Sequence, residues 1–142
     1  MYYHFKLHKE KDGYWAECCE LDGCVTQGNT REELFKACKE ALDVYLYEPE
    51  GSEERHFPLP DERLDRRRSI VKVMVDPQKA LAIVLKNYRL TNKITQKKAA
   101  ELLGMKNIYS YQRLEKKTNA TLSIIGKIRT TFPDIKLEYL FQ

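Results

Sequence analysis

Residues 95–115, which read TQKKAAELLGMKNIYSYQRLE, constrain the fold more than any other stretch of this chain. Thr95 can cap a helix through its hydroxyl, and two alanines and a leucine then recur at helical spacing on one face. Gly104 follows the last apolar residue, where a residue with positive φ ends a helix without a Cβ clash. Because a second helical pattern resumes near Asn107, the stretch predicts two short helices joined by a tight turn.

The second of these helices has an apolar and a polar side. Tyr111 and Leu114 are expected to be buried, and polar side chains cover the opposite side. A DNA major groove accepts a helix with such a polar face when small alanines hold it across a first helix. Double-stranded DNA is therefore the expected partner, and an ordinary helical hairpin with a solvated polar face is the alternative.

The candidate DNA contacts divide by their chemistry. Gln96 begins the first helix, where its amide and backbone N–H can be offered to a phosphate. The cations expected to neutralise other phosphates are Lys97, Lys98, Lys106 and Lys116. The candidates for base edges are Asn107, Ser110, Gln112 and Arg113. Asn or Gln can pair with adenine and Arg with guanine, and Tyr109 could touch a thymine methyl or the backbone.

The net charge of +4 is divided unevenly along the 142 residues. Residues 1–75 contain 12 Lys and Arg against 16 Asp and Glu, and residues 76–142 contain 13 against 5. A basic second half suits phosphate contact, whereas an acidic first half would be repelled by it. The alternative is that each half has a solvated surface of its own.

The first half of the chain alternates apolar and polar residues over several short runs, as half-buried strands do. The predicted strands are residues 2–9, 14–18, 24–27 and 69–75, of which the last is predicted from its β-branched residues and alternates poorly. Thr30 followed by Glu33 is the signature of a capping box for a helix over residues 31–47. We expect an α+β chain with a sheet and one long helix in domain 1–75. This domain includes an irregular polar arm over 48–68, and an all-α domain covers 76–142.

Several classes of protein are not expected from the composition. The four cysteines contain no CxxC pair, which disfavours both a disulfide framework and a zinc site. Strand 2–9 carries no carboxylate, so we predict neither metal-dependent cleavage nor any other catalysis, and no metal or cofactor. No apolar run approaches a membrane span and no signal-peptide pattern is seen, so a cytoplasmic protein without a membrane partner is expected.

Residues 13–42, GYWAECCELDGCVTQGNTREELFKACKEAL, resemble the HicB antitoxin family. The resemblance lies in GYWAEC, in ELDGCVTQG and in a Thr-capped helix with EEL and a spaced EAL. The family's usual proline after the first cysteine is Cys19 here. The resemblance implies a truncated ribonuclease H-like fold, with an antiparallel meander, a helix and a further strand. The segments LLGMKNIYSYQRLE, NATLSIIGKI and FPDIKL are similar to the Xre/Cro-type helix-turn-helix appended to many HicB proteins.

This resemblance implies the antitoxin of a type II toxin–antitoxin pair. The N-terminal domain would neutralise a HicA-type mRNA interferase toxin, and the C-terminal domain would bind its own operator and repress the operon. Repression through a palindrome implies a homodimer or a higher homo-oligomer. The candidate toxin contacts are Trp15, Glu17, Glu20, Leu21 and Asp22. A core position for Trp15 is equally compatible with the pattern. The alternative function is a stand-alone helix-turn-helix regulator whose N-terminal domain senses a ligand or a protein.

Overall fold

The chain, seen in a computed structural model that describes residues 1–117 and 119–141, divides into two units. We call Met1–Tyr47 with Pro58–Asp76 the sheet unit. We call Glu48–Phe57 with Pro77–Gln142 the helical unit. The chain therefore leaves the sheet unit after Tyr47, returns to it at Pro58 and leaves it again after Asp76. Thr118 and Gln142, both within the predicted domain 76–142, lie outside the described residues.

The sheet unit contains the antiparallel sheet that the alternating runs predict. Its strands are β1 (Tyr2–Glu10), β2 (Gly13–Cys18), β3 (Val25–Gly28) and β4 (Ile70–Met74). The spatial order is β3-β2-β1-β4, with antiparallel pairing throughout. The expected α+β class is confirmed at this level for the described residues.

Helix α1 (Arg31–Leu46) contributes buried side chains to the core of the sheet unit. Its buried residues Leu34, Cys38 and Leu42 lie at helical spacing, as one face of an amphipathic helix requires. The predicted cap is present, because the Glu33 amide donates to the Thr30 hydroxyl at 3.2 Å. The Glu33 carboxylate accepts from the amide of Asn29 at 2.9 Å, one residue before the cap.

The helical unit is formed by α2 (Pro77–Thr91), α3 (Gln96–Leu102), α4 (Ile108–Leu114) and α5 (Leu122–Thr131). Side-chain oxygens of Thr95, Asn107 and Thr121 cap α3, α4 and α5 in turn. The final segment, although it alternates like a strand, forms a 3-10 helix over Leu137–Phe141. Among the described helices, none combines the length and apolar character that crossing a membrane requires.

The polar arm expected over residues 48–68 is divided between the two units. Residues 48–57, which we call the strap, belong to the helical unit and form neither helix nor strand. Residues 58–68 belong to the sheet unit and include a short 3-10 helix, Glu62–Leu64. Because the strap belongs to the helical unit, its four glutamates and one arginine are counted there and not with the sheet unit. The sheet unit then has 11 Lys and Arg against 13 Asp and Glu, and the helical unit has 14 against 8.

Candidate nucleic-acid interface

Helices α3 and α4 pack through small and apolar side chains and are joined by the turn at residues 103–107. Ala99 and Ala100 are buried on α3, where their small size lets a neighbouring backbone approach closely. Tyr111 and Leu114 are buried on α4, as the sequence predicts. Gly104, directly after the C-cap Leu103 of α3, has φ of 66°, which a glycine adopts without steric cost.

The polar side of this helix pair carries exposed cations. Lys97, Lys98 and Lys106 are exposed, and the Tyr109 side chain, at 68% exposure, projects from α4. A further cation was not anticipated from the sequence. A Cβ placed on Gly104 would lie 2.9 Å from the Nζ of Lys127 on α5, so the missing side chain lets this lysine lie over the turn.

Asn107 and Ser110 hold the start of α4. The Asn107 Oδ1 accepts from the backbone amide of Ser110 at 3.0 Å and from its hydroxyl at 3.3 Å. Both residues were predicted to reach base edges. The structure instead uses the Asn107 carbonyl oxygen as a helix cap, which leaves its amide N–H groups for other contacts.

The side chains of Gln96 and Gln112 are hydrogen-bonded to each other. The Gln96 Nε2 donates to the Glu115 Oε2 at 2.9 Å, and the Gln112 Nε2 donates to the Gln96 Oε1 at 3.0 Å. The Gln96 amide therefore has a partner at each end. The sequence suggested a phosphate contact for this amide, and these hydrogen bonds direct it towards α4 instead.

Glu115 is the centre of a buried polar cluster. Its side chain is 3% exposed and pairs with the guanidinium of Arg89, whose Nη2 lies 3.2 Å from Oε2. The hydroxyl of Tyr111 donates to Glu115 at 2.8 Å. Burial first, and then the Glu115 carboxylate, raise the pKa of Tyr111, so the phenol stays protonated and keeps donating. The Arg89 Nη1 also donates to the carbonyl of Ile94 at 3.0 Å, which ties α2 to the residues before α3.

Lys116, predicted to contact a phosphate, is engaged by the strap. Its Nζ donates to the carbonyl oxygens of Pro49 and Ser52, at 3.1 and 2.9 Å, and to the Ser52 hydroxyl at 3.0 Å. An ammonium group has three N–H donors, so these bonds occupy all of them. In this structure Lys116 is thus hydrogen-bonded to the strap, and its contact with a phosphate stays a prediction. Arg113 keeps its exposure at 67%, with its Nε 3.4 Å from a carboxylate oxygen of Glu50.

The strap itself is anchored by ion pairs to α2. The Glu48 carboxylate lies 2.6 Å from the Nζ of Lys79, and the two side chains are 2% and 6% exposed. Burial lowers the pKa of Lys79, and the hydrogen bond to Glu48 opposes this effect. Glu54 lies 3.0 Å from the guanidinium of Arg89 and 3.4 Å from the ammonium of Lys86. These buried cations depend on acidic residues that precede α2 by more than twenty positions.

Trp15 and Glu17 lie on the face of the sheet opposite to buried Ala16, because neighbouring residues in a strand alternate. The Trp15 ring is half-buried and stacks on the His8 ring, with centroids 4.0 Å apart and planes 13° apart. The His8 Nε2 lies 3.1 Å from the Glu17 carboxylate. Trp15 therefore belongs neither to the core nor to a fully exposed surface.

The side chains of Glu20 and Leu21, two further predicted toxin contacts, have little exposure. Leu21 is 2% exposed, and the Glu20 side chain is 6% exposed. Asp22 is exposed, and its carbonyl accepts from the hydroxyl of Tyr45 at 2.6 Å. Of the five residues predicted for the toxin, only Trp15, Glu17 and Asp22 thus offer accessible side chains.

Glu20 instead helps to enclose His4. The two His4 ring nitrogens lie 2.6 Å from Glu20 Oε2 and 2.6 Å from Asp65 Oδ1. Glu20 also accepts from the backbone amides of His4 and Asp61, at 2.9 and 3.1 Å. Burial opposes protonation, but the hydrogen bonds that the ring donates to the Glu20 and Asp65 carboxylates raise the pKa of His4 above its ordinary value. This cluster joins β1, the turn after β2 and the end of the 3-10 helix.

The cysteines are all free thiols. Cys18, Cys24 and Cys38 are buried, and Cys19 is exposed. Burial raises the pKa of Cys38 to about 11, so its thiol stays protonated at neutral pH. Over residues 1–117 and 119–141, no cluster of three or more His, Cys, Asp or Glu side chains has the arrangement that a metal ion needs.

The family of this chain follows from individual proteins of similar sequence, since no family model matches the chain. A UPF0150 protein of Synechocystis is 42% identical over 59 residues, which are 41% of this chain and 71% of that protein. The chain belongs to the UPF0150 family. A UPF0150 protein of Archaeoglobus fulgidus is 35% identical over 52 residues, or 36% of this chain and 75% of the relative. A UPF0150 protein of Helicobacter pylori is 40% identical over 47 residues, and the chain covers 65% of its length.

Proposed function

We propose that this UPF0150 chain is a HicB-type antitoxin that neutralises a HicA-type mRNA interferase and represses its own operon by binding operator DNA. The observation that carries the DNA-binding part is the polar face of α3 and α4. This face presents Lys97, Lys98, Lys106 and Arg113 beside the side chains of Tyr109 and Gln112. Such a face suits phosphates along its edge and base edges at its centre.

The helical unit would then be a helix-turn-helix domain of the Xre/Cro type, in which α4 enters the major groove. Caps at Thr95 and Asn107 and the glycine turn at Gly104 hold the two short helices at fixed ends. The excess of six positive charges in this unit supports the assignment, because phosphate contact is electrostatic and independent of sequence. A homodimer would bind the two halves of a palindromic operator.

The sheet unit would be the toxin-binding domain, with a truncated ribonuclease H-like fold and no catalytic activity of its own. Its sheet with one helix, and its small negative excess, are compatible with a partner that is basic because it binds mRNA. The accessible residues Trp15, Glu17 and Asp22 are the proposed contacts. The complex would form in the cytoplasm, where mRNA is cleaved.

Co-expression with the product of a neighbouring gene for a small basic protein tests the toxin-binding part. The full chain is expected to co-purify with that product and to restore growth. Glu17→Lys together with Asp22→Lys reverses two exposed charges and is expected to weaken both effects, because like charges would face the toxin. Glu10→Lys with Asp12→Lys, in the exposed turn of the β1–β2 hairpin, makes the same change in net charge away from these contacts.

Growth arrest that persists although the unaltered chain is soluble would contradict the antitoxin assignment. A chain that binds its promoter but not the neighbouring gene product would be a stand-alone regulator.

A further inference from the structure

Three side chains form a hydrogen-bond chain with a fixed direction. Glu115 accepts from the Nε2 of Gln96 at 2.9 Å, and Gln96 accepts through its Oε1 from the Nε2 of Gln112 at 3.0 Å. Glu115 lies at the buried end, and Gln112 is half-exposed on α4. The direction of these two hydrogen bonds follows from the chemistry of Glu115 at the buried end.

An ionised carboxylate accepts hydrogen bonds and cannot donate them. Both carboxylate oxygens of Glu115 act as acceptors here, since the Arg89 guanidinium, which has only N–H donors, donates to each of them. The nitrogen of the Gln96 amide must therefore face Glu115, and its oxygen must face Gln112. Because the Gln96 oxygen can only accept, the nitrogen of the Gln112 amide must in turn face Gln96.

This orientation determines what Gln112 presents outward. One of its two N–H groups is used on Gln96, so a single N–H and the carbonyl oxygen are left. The carbonyl oxygen makes no hydrogen bond to any residue of the described chain. One acceptor beside one donor matches the major-groove edge of adenine, which offers a donor at N6 and an acceptor at N7. Guanine offers two acceptors there, at O6 and N7, and the carbonyl oxygen would face one of them unfavourably.

We propose that Gln96 is a positioning residue that orients the Gln112 amide, so that α4 selects adenine at one base pair of each half-site. The inference rests on the proposed DNA-binding function. Without Gln96, the Gln112 amide can rotate and offer both N–H groups to guanine. The preference for adenine then falls, whereas the phosphate contacts of the helix pair are untouched.

The test uses the full chain and a pool of duplexes with a randomised central sequence, with the bound fraction sequenced. The unaltered protein is expected to prefer adenine at one position by roughly fivefold to a hundredfold, the discrimination of a bidentate pair. Gln112→Ala is expected to abolish the preference there. Gln96→Ala is expected to lower it at least about threefold while enrichment elsewhere in the site is unchanged.

Two further variants separate orientation from packing. Gln96→Glu keeps the length of the side chain but cannot donate to Glu115, so it is expected to lose the adenine preference as the alanine variant does. Gln27→Ala removes an exposed glutamine from β3 in the sheet unit and is expected to change nothing.

The outcomes distinguish a failure of this inference from a failure of the DNA-binding function on which it rests. If the unaltered protein enriches no sequence, the DNA-binding proposal itself fails. If it enriches a site and both Gln96 variants keep the full adenine preference at the position that Gln112→Ala abolishes, the positioning role is overturned. The role is equally overturned if Gln96→Ala weakens binding to all sequences by the same factor, since that result indicates only a structural contribution.

Discussion

The sheet unit and the helical unit each bury a cation between carboxylates, but they use cations of different chemistry. In the sheet unit, His4 lies between Glu20 and Asp65. In the helical unit, Arg89 lies between Glu115 and Glu54. Histidine titrates near neutral pH, whereas arginine stays charged at every pH a folded protein meets. One cluster can therefore respond to pH and the other is permanent, and the permanent one supports the face proposed to read DNA.

The largest expected effect comes from breaking the permanent cluster. Glu115→Ala leaves the Arg89 guanidinium, 7% exposed, without its main partner, and removes the acceptor of Tyr111. Loss of one partner of a buried ion pair is expected to lower the free energy of unfolding by about 3–5 kcal/mol. Urea denaturation followed by circular dichroism measures the change.

Glu101→Ala is the matched control, because Glu101 is an exposed glutamate on α3. It is expected to change the stability by less than about 0.5 kcal/mol. Equal midpoints for the two variants would mean that the buried cluster contributes nothing to the helical unit.

A smaller and pH-dependent effect is expected in the sheet unit. The pKa of His4 is raised in the folded state, so the protonated ring stabilises the fold fully below the ordinary value of about 6.5. This stability is lost as the pH rises through the folded-state pKa. His4→Gln is expected to cost about 1.5–3 kcal/mol at acidic pH, the range for hydrogen bonds to charged groups, and less at alkaline pH.

Urea midpoints measured across the pH range for the unaltered chain and for His4→Gln test this difference. His56→Gln serves as a control, since its ring is exposed and contacts only a neutral amide, that of Asn87, among the interactions described. A cost of His4→Gln that does not vary with pH would show that the ring acts through packing alone.

The smallest effect concerns the strap, where Glu50 lies beside Arg113. Glu50→Ala removes a negative charge next to a proposed base contact and is expected to raise the affinity for operator DNA about twofold to threefold. Both side chains are exposed, and such pairs contribute at most about 1 kcal/mol. Gel shifts at low and at moderate salt measure the gain, which is expected to shrink as salt screens the charge.

Glu53→Ala changes the net charge equally and removes an exposed strap residue that has no ion pair among the described residues. If it raises the affinity as much as Glu50→Ala does, the effect is one of net charge and not of the contact with Arg113.

Local signals in the sequence predict the strands and the helices α1, α3 and α4, because alternation and capping depend on residues a few positions apart. The caps at Thr30 and Thr95 illustrate this. The apolar segment 135–141 alternates like a strand, but Leu137–Phe141 form a 3-10 helix, because alternation over so few residues does not distinguish the two structures.

The polar clusters could not be predicted, because their members are far apart in sequence. Glu48 and Lys79 are 31 positions apart and His4 and Asp65 are 61 apart. A strap rich in charge and proline reads as a solvated loop, and only the folded chain brings it against α2 and Lys116. The same long-range pairing turned Glu20 from a predicted surface contact into a buried acceptor.

The most direct test of the account separates the two proposed functions in one protein. Gln112→Ala combined with Arg113→Ala removes two proposed base contacts on α4 and leaves the sheet unit unaltered. Gel shifts with the protein's own promoter are expected to show affinity reduced at least about thirtyfold, while co-expression still rescues growth from the toxin. Promoter affinity that is unchanged in the double variant would contradict the placement of α4 at the DNA.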